Sequence, residues 1–152
     1  MAREPSAQAQ FTAFLSRFPP GIVALVKRCL PKLRRALPGT NQIVYDYPNS
    51  LVVSFSPSDR GYEGIVTLAV HPDRVQLYFS KDLPDPNGRL EGSGSKVRSL
   101  ALEAASELDS GDVHDLIRAA IRRSKVPSPG TRSTRMIIQA GSKKTPGRAG
   151  RA

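Results

Sequence analysis

The sequence predicts an α+β domain, with two N-terminal helices and one C-terminal helix packed on an antiparallel sheet of about five strands. Three observations support this fold: helical spacing of apolar residues over 6–37, strand-like apolar runs over 42–102, and helical spacing again after residue 109. Most connections between strand candidates are short, and short connections join antiparallel strands. At 152 residues, the chain is long enough for one domain with a real core.

The first two elements are predicted to be helices. Residues 6–18 place phenylalanines and a leucine on one stripe, and Pro19 ends that helix. The second helix starts at Pro20 and runs to about Leu37, with one apolar face. An interior proline, Pro31, predicts a kink or a break near Cys29. The face opposite the apolar one is basic and carries Lys27, Arg28, Lys32, Arg34 and Arg35.

Strands and a last helix follow. The clearest strand lies at residues 74–80, where apolar and polar side chains alternate with a period of two. Asp109 or Ser110 is predicted to cap the last helix, whose acids come first and whose bases come last, as the helix dipole favours. The strand candidates are residues 42–47, 51–56, 65–70, 74–80 and 96–102, with a short edge strand at 135–140.

The positive charge of the chain is concentrated in its last segment. Residues 1–123, the predicted domain, carry a net charge of +3, whereas residues 124–152 carry +7 and contain no acid. This basic tail is either a solvated segment or an arm for nucleic acid or another polyanion. It lacks aromatic residues that would stack on bases. Its cations are Lys125, Arg132, Arg135, Lys143, Lys144, Arg148 and Arg151.

Several classes of protein are disfavoured by composition. Cys29 is the only cysteine, so no disulfide forms within the chain and a reducing compartment is expected. The N-terminus has no signal-peptide run, and no stretch is long and apolar enough to span a membrane. We therefore expect a cytoplasmic protein that neither spans nor binds a membrane. His71 and His114 lack neighbouring ligands at metal-site spacing, and the sequence predicts no metal and no cofactor.

The most informative loop is residues 83–99, LPDPNGRLEGSGSKVRS, which joins two strand candidates. Prolines stiffen its start, glycines allow unusual backbone turns, and cations stand at its end. It is not a P-loop, because Gly94-Ser95-Lys96 leads into a strand instead of a helix. It also lacks the third glycine of a dinucleotide fingerprint, since Val97 stands at that position. The loop is therefore either an ordered connection or a cradle for an anion.

Three segments resemble one bacterial family of unknown function, the YdhG-like domain family. They are VYDYPNSLVVSFSPSDRGYEGI, HPDRVQLYF and LPDPNGRLEGSGSKVRSL, and the resemblance covers roughly residues 20–123. It implies an α+β fold, and some members carry an iron-chaperone or frataxin-like label. Members usually have a Gly-x-Gly-Lys run, whereas here Ser95 follows Gly94 and the lysine is Lys96. In a strand, such a shift turns the side chain to the opposite face.

The candidate site is an anion cradle in the glycine-rich loop. Main-chain N–H groups would surround the anion, and arginine side chains would balance its charge. The alternative for Arg60 is a surface ion pair with Asp59 or Glu63. Cys29 is better explained as a small buried side chain than as a nucleophile, and Asp46 lacks a catalytic partner at local spacing. The candidate residues are Arg60, Gly92, Ser93, Gly94, Ser95, Lys96 and Arg98.

These observations favour a binding domain over an enzyme, and three hypotheses follow. The first is a protein that binds an anionic small molecule or a polyanion at residues 88–98. The second is a nucleic-acid-associated protein that uses the basic tail and the basic face of the second helix. The third is an iron chaperone, which the family label suggests. The third is disfavoured, because iron in such proteins prefers clustered carboxylates and the acids of this chain are scattered.

Overall fold

The computed structural model describes residues 6–80, 83–92, 97–124 and 134–139. It confirms the α+β class, with three helices and a six-stranded sheet. The helices are α1 (Ala7–Leu15), α2 (Pro20–Ala36) and α3 (Gly111–Arg123). The strands are β1 (Asn41–Tyr47), β2 (Ser50–Ser56), β3 (Val66–Val70), β4 (Val75–Phe79), β5 (Arg98–Ala101) and β6 (Met136–Gln139).

The sheet is a meander with one added edge strand. The order is β5-β4-β3-β2-β1-β6, and β1 to β5 pair antiparallel with their neighbours. The short connections pair β1 to β4 as predicted, and β5 pairs antiparallel with β4 after the long loop. The predicted edge strand at residues 135–140 forms as β6, but it pairs parallel to β1. The sheet thus has six strands instead of about five, and the sixth comes from the segment that we predicted to be a tail.

Helix α2 is continuous from Pro20 to Ala36, so of the predicted kink or break near Cys29 the break is wrong, while the kink stays a prediction. Pro31 lies inside the helix and is exposed, so its ring points to solvent. The buried side chains of Cys29, Leu30 and Leu33 hold the helix against the sheet on both sides of the proline. Packing of an amphipathic face outweighs the local cost of one missing hydrogen bond.

One hydrophobic core lies between the three helices and one face of the sheet. The strand residues Val53, Leu68 and Leu77 pair across the sheet and are fully buried against the helices. The long loop also contributes, because Leu83 and Leu90 are buried in the same core. We call this side of the sheet the covered face and the other side the open face. Among the described helices, none is long and apolar enough to cross a membrane.

The ends of α3 and α1 are stabilised locally. Ser110 precedes α3 as predicted, but its hydroxyl donates to the Glu107 carbonyl oxygen and to Asp112 Oδ1 instead of accepting from a helical N–H. The hydrogen bond from Ser110 has the largest effect in lowering the pKa of Asp112, and a hydrogen bond from Arg89 to the same carboxylate lowers it further. At α1, the Ser6 hydroxyl accepts from the Ala9 N–H at 3.1 Å, which is ordinary N-terminal capping.

Candidate functional site

The glycine-rich loop is organised around a carboxylate of its own, Asp85. The Asp85 side chain is only 5 % exposed. Its Oδ1 accepts the Arg89 N–H at 2.9 Å, and its Oδ2 accepts the Leu90 N–H at 2.9 Å. Arg98 Nη2 donates to the same Oδ2 at 3.2 Å. Main-chain amides and a guanidinium therefore do converge on a negative charge here, and that charge belongs to the protein.

The end of the loop is closed by a short antiparallel bridge. Glu91 and Ser99 exchange both main-chain hydrogen bonds, at 2.7 and 3.0 Å. Gly92 follows with φ +106°, a conformation that side chains rarely adopt, and a Cβ there would lie 3.1 Å from the Val97 carbonyl oxygen. The remaining predicted site residues, Ser93, Gly94, Ser95 and Lys96, lie outside the described residues. The anion cradle therefore stays a prediction.

The structure does not bring Arg60 and Arg98 together. Arg98 pairs with Phe79 in the β4–β5 ladder and lies on the covered face. Arg60 lies in the β2–β3 connection, where Gly61 contacts the Tyr45 side chain on the open face. Three strand spacings separate β2 from β5, about 14 Å. Arg60 is instead 3.9 Å from Glu63, the surface ion pair that we gave as its alternative role.

The thiol and the carboxylate examined as catalytic candidates have structural roles. Cys29 is fully buried, and burial raises its pKa to about 11, so the thiolate needed for nucleophilic attack does not form near neutral pH. Asp46 forms an ion pair with Arg17 of the segment after α1. Both groups therefore hold helices to the sheet.

The described residues contain no metal-binding cluster of three or more His, Cys, Asp or Glu side chains. His71 lies in the β3–β4 turn, where its main-chain N–H donates to the Arg74 carbonyl oxygen at 2.8 Å. Burial lowers the pKa of His71, so the ring is neutral at physiological pH. The iron-chaperone hypothesis therefore gains no support from the described residues.

The basic face of α2 is present as the sequence indicated. The helix has no acidic residue. Arg28, Lys32 and Arg35 are spaced i, i+4 and i+7, which places them on one stripe. Lys32 Nζ binds both carboxylate oxygens of Asp109, at 2.8 and 2.9 Å. That hydrogen bond holds the pKa of Asp109 below its usual range.

Arg28 and Arg35 differ from Lys32 because both are exposed and neither forms an ion pair with any residue that the structure describes. The other two cations of the helix are less useful for a ligand on this stripe. Lys27 is exposed, but it directly precedes Arg28 in the helix and so points away from the stripe. Arg34 Nε donates to Gln42 Oε1 at 3.2 Å. Two guanidinium groups on one stripe are thus available to an external anion.

These cations line depressions on the helical side of the molecule. One, of about 390 Å³, lies between α2 and α3 and is lined by Lys32, Arg35, His114 and Arg118, among others. The next, of about 410 Å³, lies along α2 and is lined by Arg28, Lys32 and Arg35 among others; Asp109, the partner of Lys32, lines both depressions. We call them together the basic groove. The arrangement can hold phosphates by charge and hydrogen bonding.

Two residues of the basic groove, His114 and Arg118 of α3, were missed by sequence reasoning. They are four residues apart and so lie on the same face of the helix. That spacing was visible in the sequence, but nothing in it indicated that this face would lie beside α2. Arg118 also pairs with Asp115 at 3.1 Å, so its charge is partly balanced.

No family model, curated protein or solved structure matches this chain. The resemblance to the YdhG-like domain family therefore remains an expectation from the three sequence segments quoted above.

Proposed function

We propose that this protein binds nucleic acid, holding the phosphate backbone in the basic groove. The observation that carries the proposal is the pair of exposed arginines, Arg28 and Arg35, which lie on one stripe of α2 without an ion-pair partner among the described residues. Guanidinium groups suit phosphates because their planar forks make two parallel hydrogen bonds. The seven cations of residues 124–152, with no acid among them, add to the attraction.

The proposed mode of binding is independent of base sequence. Contacts to phosphates position a protein on nucleic acid but do not read the bases. Each phosphate that a cation neutralises releases counterions, so affinity falls steeply with salt. The affinity of this protein for nucleic acid should therefore depend steeply on salt, whereas its affinity for a small neutral ligand would not.

The test is the affinity for a labelled oligonucleotide, measured by fluorescence anisotropy over a salt series from about 50 to 200 mM. Arg35→Gln should weaken binding and make the slope of log affinity against log salt shallower, by about 0.7 for a single strand. The matched control is Arg122→Gln, which removes one exposed arginine from α3 beside the 83–92 loop. It should leave the slope unchanged. Equal effects of the two substitutions, or no binding by the natural protein, would overturn the proposal.

A second candidate function is the binding of a small anion by the glycine-rich loop. It is favoured by one observation: Arg98 Nε is buried and has no hydrogen-bond partner among the described residues. A phosphorylated metabolite that binds there should raise the melting temperature, and Lys96→Gln should abolish the rise while Arg35→Gln preserves it. The opposite pattern would move the anion site to the basic groove.

A further inference from the structure

One acidic residue, Asp109, lies inside the basic groove. It lines both of the depressions that make up the groove, and it is the only acid among the described residues that line them. Its side chain is 57 % exposed, so the carboxylate faces the solvent that an approaching phosphate would cross. A ligand held by the cations of the groove therefore meets a negative charge between them.

The fold fixes the position of this carboxylate. Asp109 ends a short 3₁₀ helix, Ala105–Asp109, whose Ala105 and Leu108 side chains are buried in the core. Ser110, and not Asp109, takes the N-cap position of α3, so the Asp109 side chain is free to reach α2. There its two oxygens accept from Lys32 Nζ at 2.8 and 2.9 Å. The carboxylate is thus held beside α2 by packing of its own segment as well as by the ion pair.

Lys32 is the middle cation of the stripe that Arg28 and Arg35 complete. These two arginines are seven residues apart, or about 10.5 Å along the helix axis, and Lys32 lies between them. The Asp109 oxygens occupy Lys32 as phosphate oxygens would. The hydrogen bond from Lys32 has the largest effect in lowering the pKa of Asp109, and nearby charges, that of Arg35 among them, lower it further, so the carboxylate is ionised at neutral pH. The stripe therefore presents two available cations with an occupied one between them.

Such a stripe can distinguish two kinds of polyanion by the spacing of their charges. In nucleic acid, a neutral sugar separates each phosphate from the next, whereas in inorganic polyphosphate a single oxygen joins them. A nucleic-acid backbone can place phosphates on Arg28 and Arg35 and an uncharged sugar opposite Asp109. A polyphosphate chain that spans the same two arginines places a phosphate opposite the carboxylate. Like charges brought together at a binding surface repel each other, and binding sites use such repulsion to exclude wrong partners.

We propose that Asp109 makes the basic groove selective for nucleic acid over continuous polyanions such as inorganic polyphosphate. Arg28 and Arg35 bind separate phosphates, a neutral part of the backbone passes Asp109, and Lys32 stays paired throughout. The inference rests on the proposed function for the class of ligand and adds a residue that determines specificity at the same site. Cations alone would not give this preference, because polyphosphate carries more charge per unit length than nucleic acid does.

The experiment compares the two polyanions on the full chain. The affinity for a labelled oligothymidine is measured by fluorescence anisotropy. Unlabelled oligothymidine and inorganic polyphosphate with the same number of phosphates then compete for the protein at one salt concentration. Asp109→Asn keeps the shape of the side chain and removes its charge. The affinity of this variant for polyphosphate should rise about tenfold more than its affinity for oligothymidine.

Two matched variants separate selectivity from a general effect of charge. Asp73→Asn makes the same change of charge in the exposed ion pair with Arg74, away from the residues that line the groove, so it should change both affinities alike. Lys32→Gln/Asp109→Asn removes the whole ion pair and leaves the net charge unchanged. Because Lys32 is held by Asp109 and not by phosphate, this double variant should bind oligothymidine like the natural protein. Surface ion pairs contribute little to stability, so all of these variants should stay folded, which circular dichroism checks.

The outcomes distinguish this inference from the proposed function. If Arg35→Gln weakens oligothymidine binding but Asp109→Asn raises both affinities equally, Asp109 gives no selectivity, although the basic groove stands. If the double variant loses as much oligothymidine affinity as Arg35→Gln, Lys32 binds phosphate in the natural protein and the inference is wrong in the same way. If Arg35→Gln is silent but Asp109→Asn still shifts the selectivity, the pair of arginines fails as the phosphate site and the role of Asp109 stands. If oligothymidine does not bind at all, both proposals fall.

Discussion

The two faces of this sheet are built from the same strands but serve different physical ends. On the covered face, Val53, Leu68 and Leu77 are fully buried and pack against three helices. One residue along each strand, Val52, Ala69 and Gln76 face the other way, where Val52 and Gln76 are partly exposed and Ala69 is buried. The comparison teaches that one face supplies the stability of the fold. The other face mixes buried residues such as Ile43 with partly exposed ones, among them Tyr45, Tyr47 and Tyr78.

The sharpest way to break this comparison is to truncate one aliphatic side chain to alanine on each face. Leu77→Ala on the covered face should cost about 3 kcal/mol of unfolding free energy, because it leaves a cavity in a fully packed core. Val52→Ala on the open face should cost about 1 kcal/mol or less, since its side chain is already partly in water. Urea denaturation followed by circular dichroism measures both. Equal costs would mean that the open face is packed against part of the same molecule.

The ion pair between Asp85 and Arg98 supports one edge of the covered face. Asp85→Asn keeps the shape of the side chain but removes the carboxylate that pairs with Arg98. The Arg98 side chain is only 19 % exposed, so water replaces that carboxylate poorly. We expect a loss of about 2 kcal/mol of unfolding free energy. The control is Asp73→Asn in the exposed Asp73–Arg74 pair, which should cost less than about 0.5 kcal/mol.

A double variant distinguishes the pair from the loop geometry. If the cost of Asp85→Asn comes from an unpaired guanidinium, Asp85→Asn/Arg98→Met should recover part of it, because the buried charge is gone. If the double variant is as unstable as the sum of its parts, the hydrogen bonds from the Arg89 and Leu90 amides carry the effect instead.

Much of the fold was predictable because its signals are local. The alternation of Val75, Leu77 and Phe79 with polar residues identified β4 and its covered face, and short turns implied antiparallel neighbours. Two features were not predictable from local signals. The unbroken helix through Pro31 depends on tertiary packing of α2, and the parallel pairing of β6 with β1 joins residues nearly a hundred positions apart.

The candidate site was less predictable, for the same physical reason. The loop composition predicted amides of residues 92–95 and an arginine around an external anion, whereas in the described part of the loop the Arg89 and Leu90 amides and Arg98 bind Asp85, thirteen residues before Arg98. The basic stripe of α2 followed from helical spacing alone. Its extension by His114 and Arg118 required knowing that α2 and α3 flank one groove. The open face needed the strand register, because only that places Tyr78 on the same side as Tyr45 and Tyr47.

The smallest expected effect on unfolding free energy concerns Cys29, the thiol of α2 that is buried against the covered face. Burial raises its pKa from 9.0 to about 11, so the folded state holds the proton more tightly than the unfolded chain does. Its contribution to stability is therefore complete below pH 9.0 and is lost as the pH rises toward about 11. Cys29→Ala should flatten that alkaline decline in unfolding free energy, measured by urea denaturation at several pH values, although it lowers stability slightly at neutral pH. The same burial should make the natural thiol react with a disulfide reagent only when the protein unfolds. Rapid labelling of the folded protein would show that α2 separates from the covered face without global unfolding. The covered face would then not be uniformly stable, and the exception would be the helix that carries the basic groove.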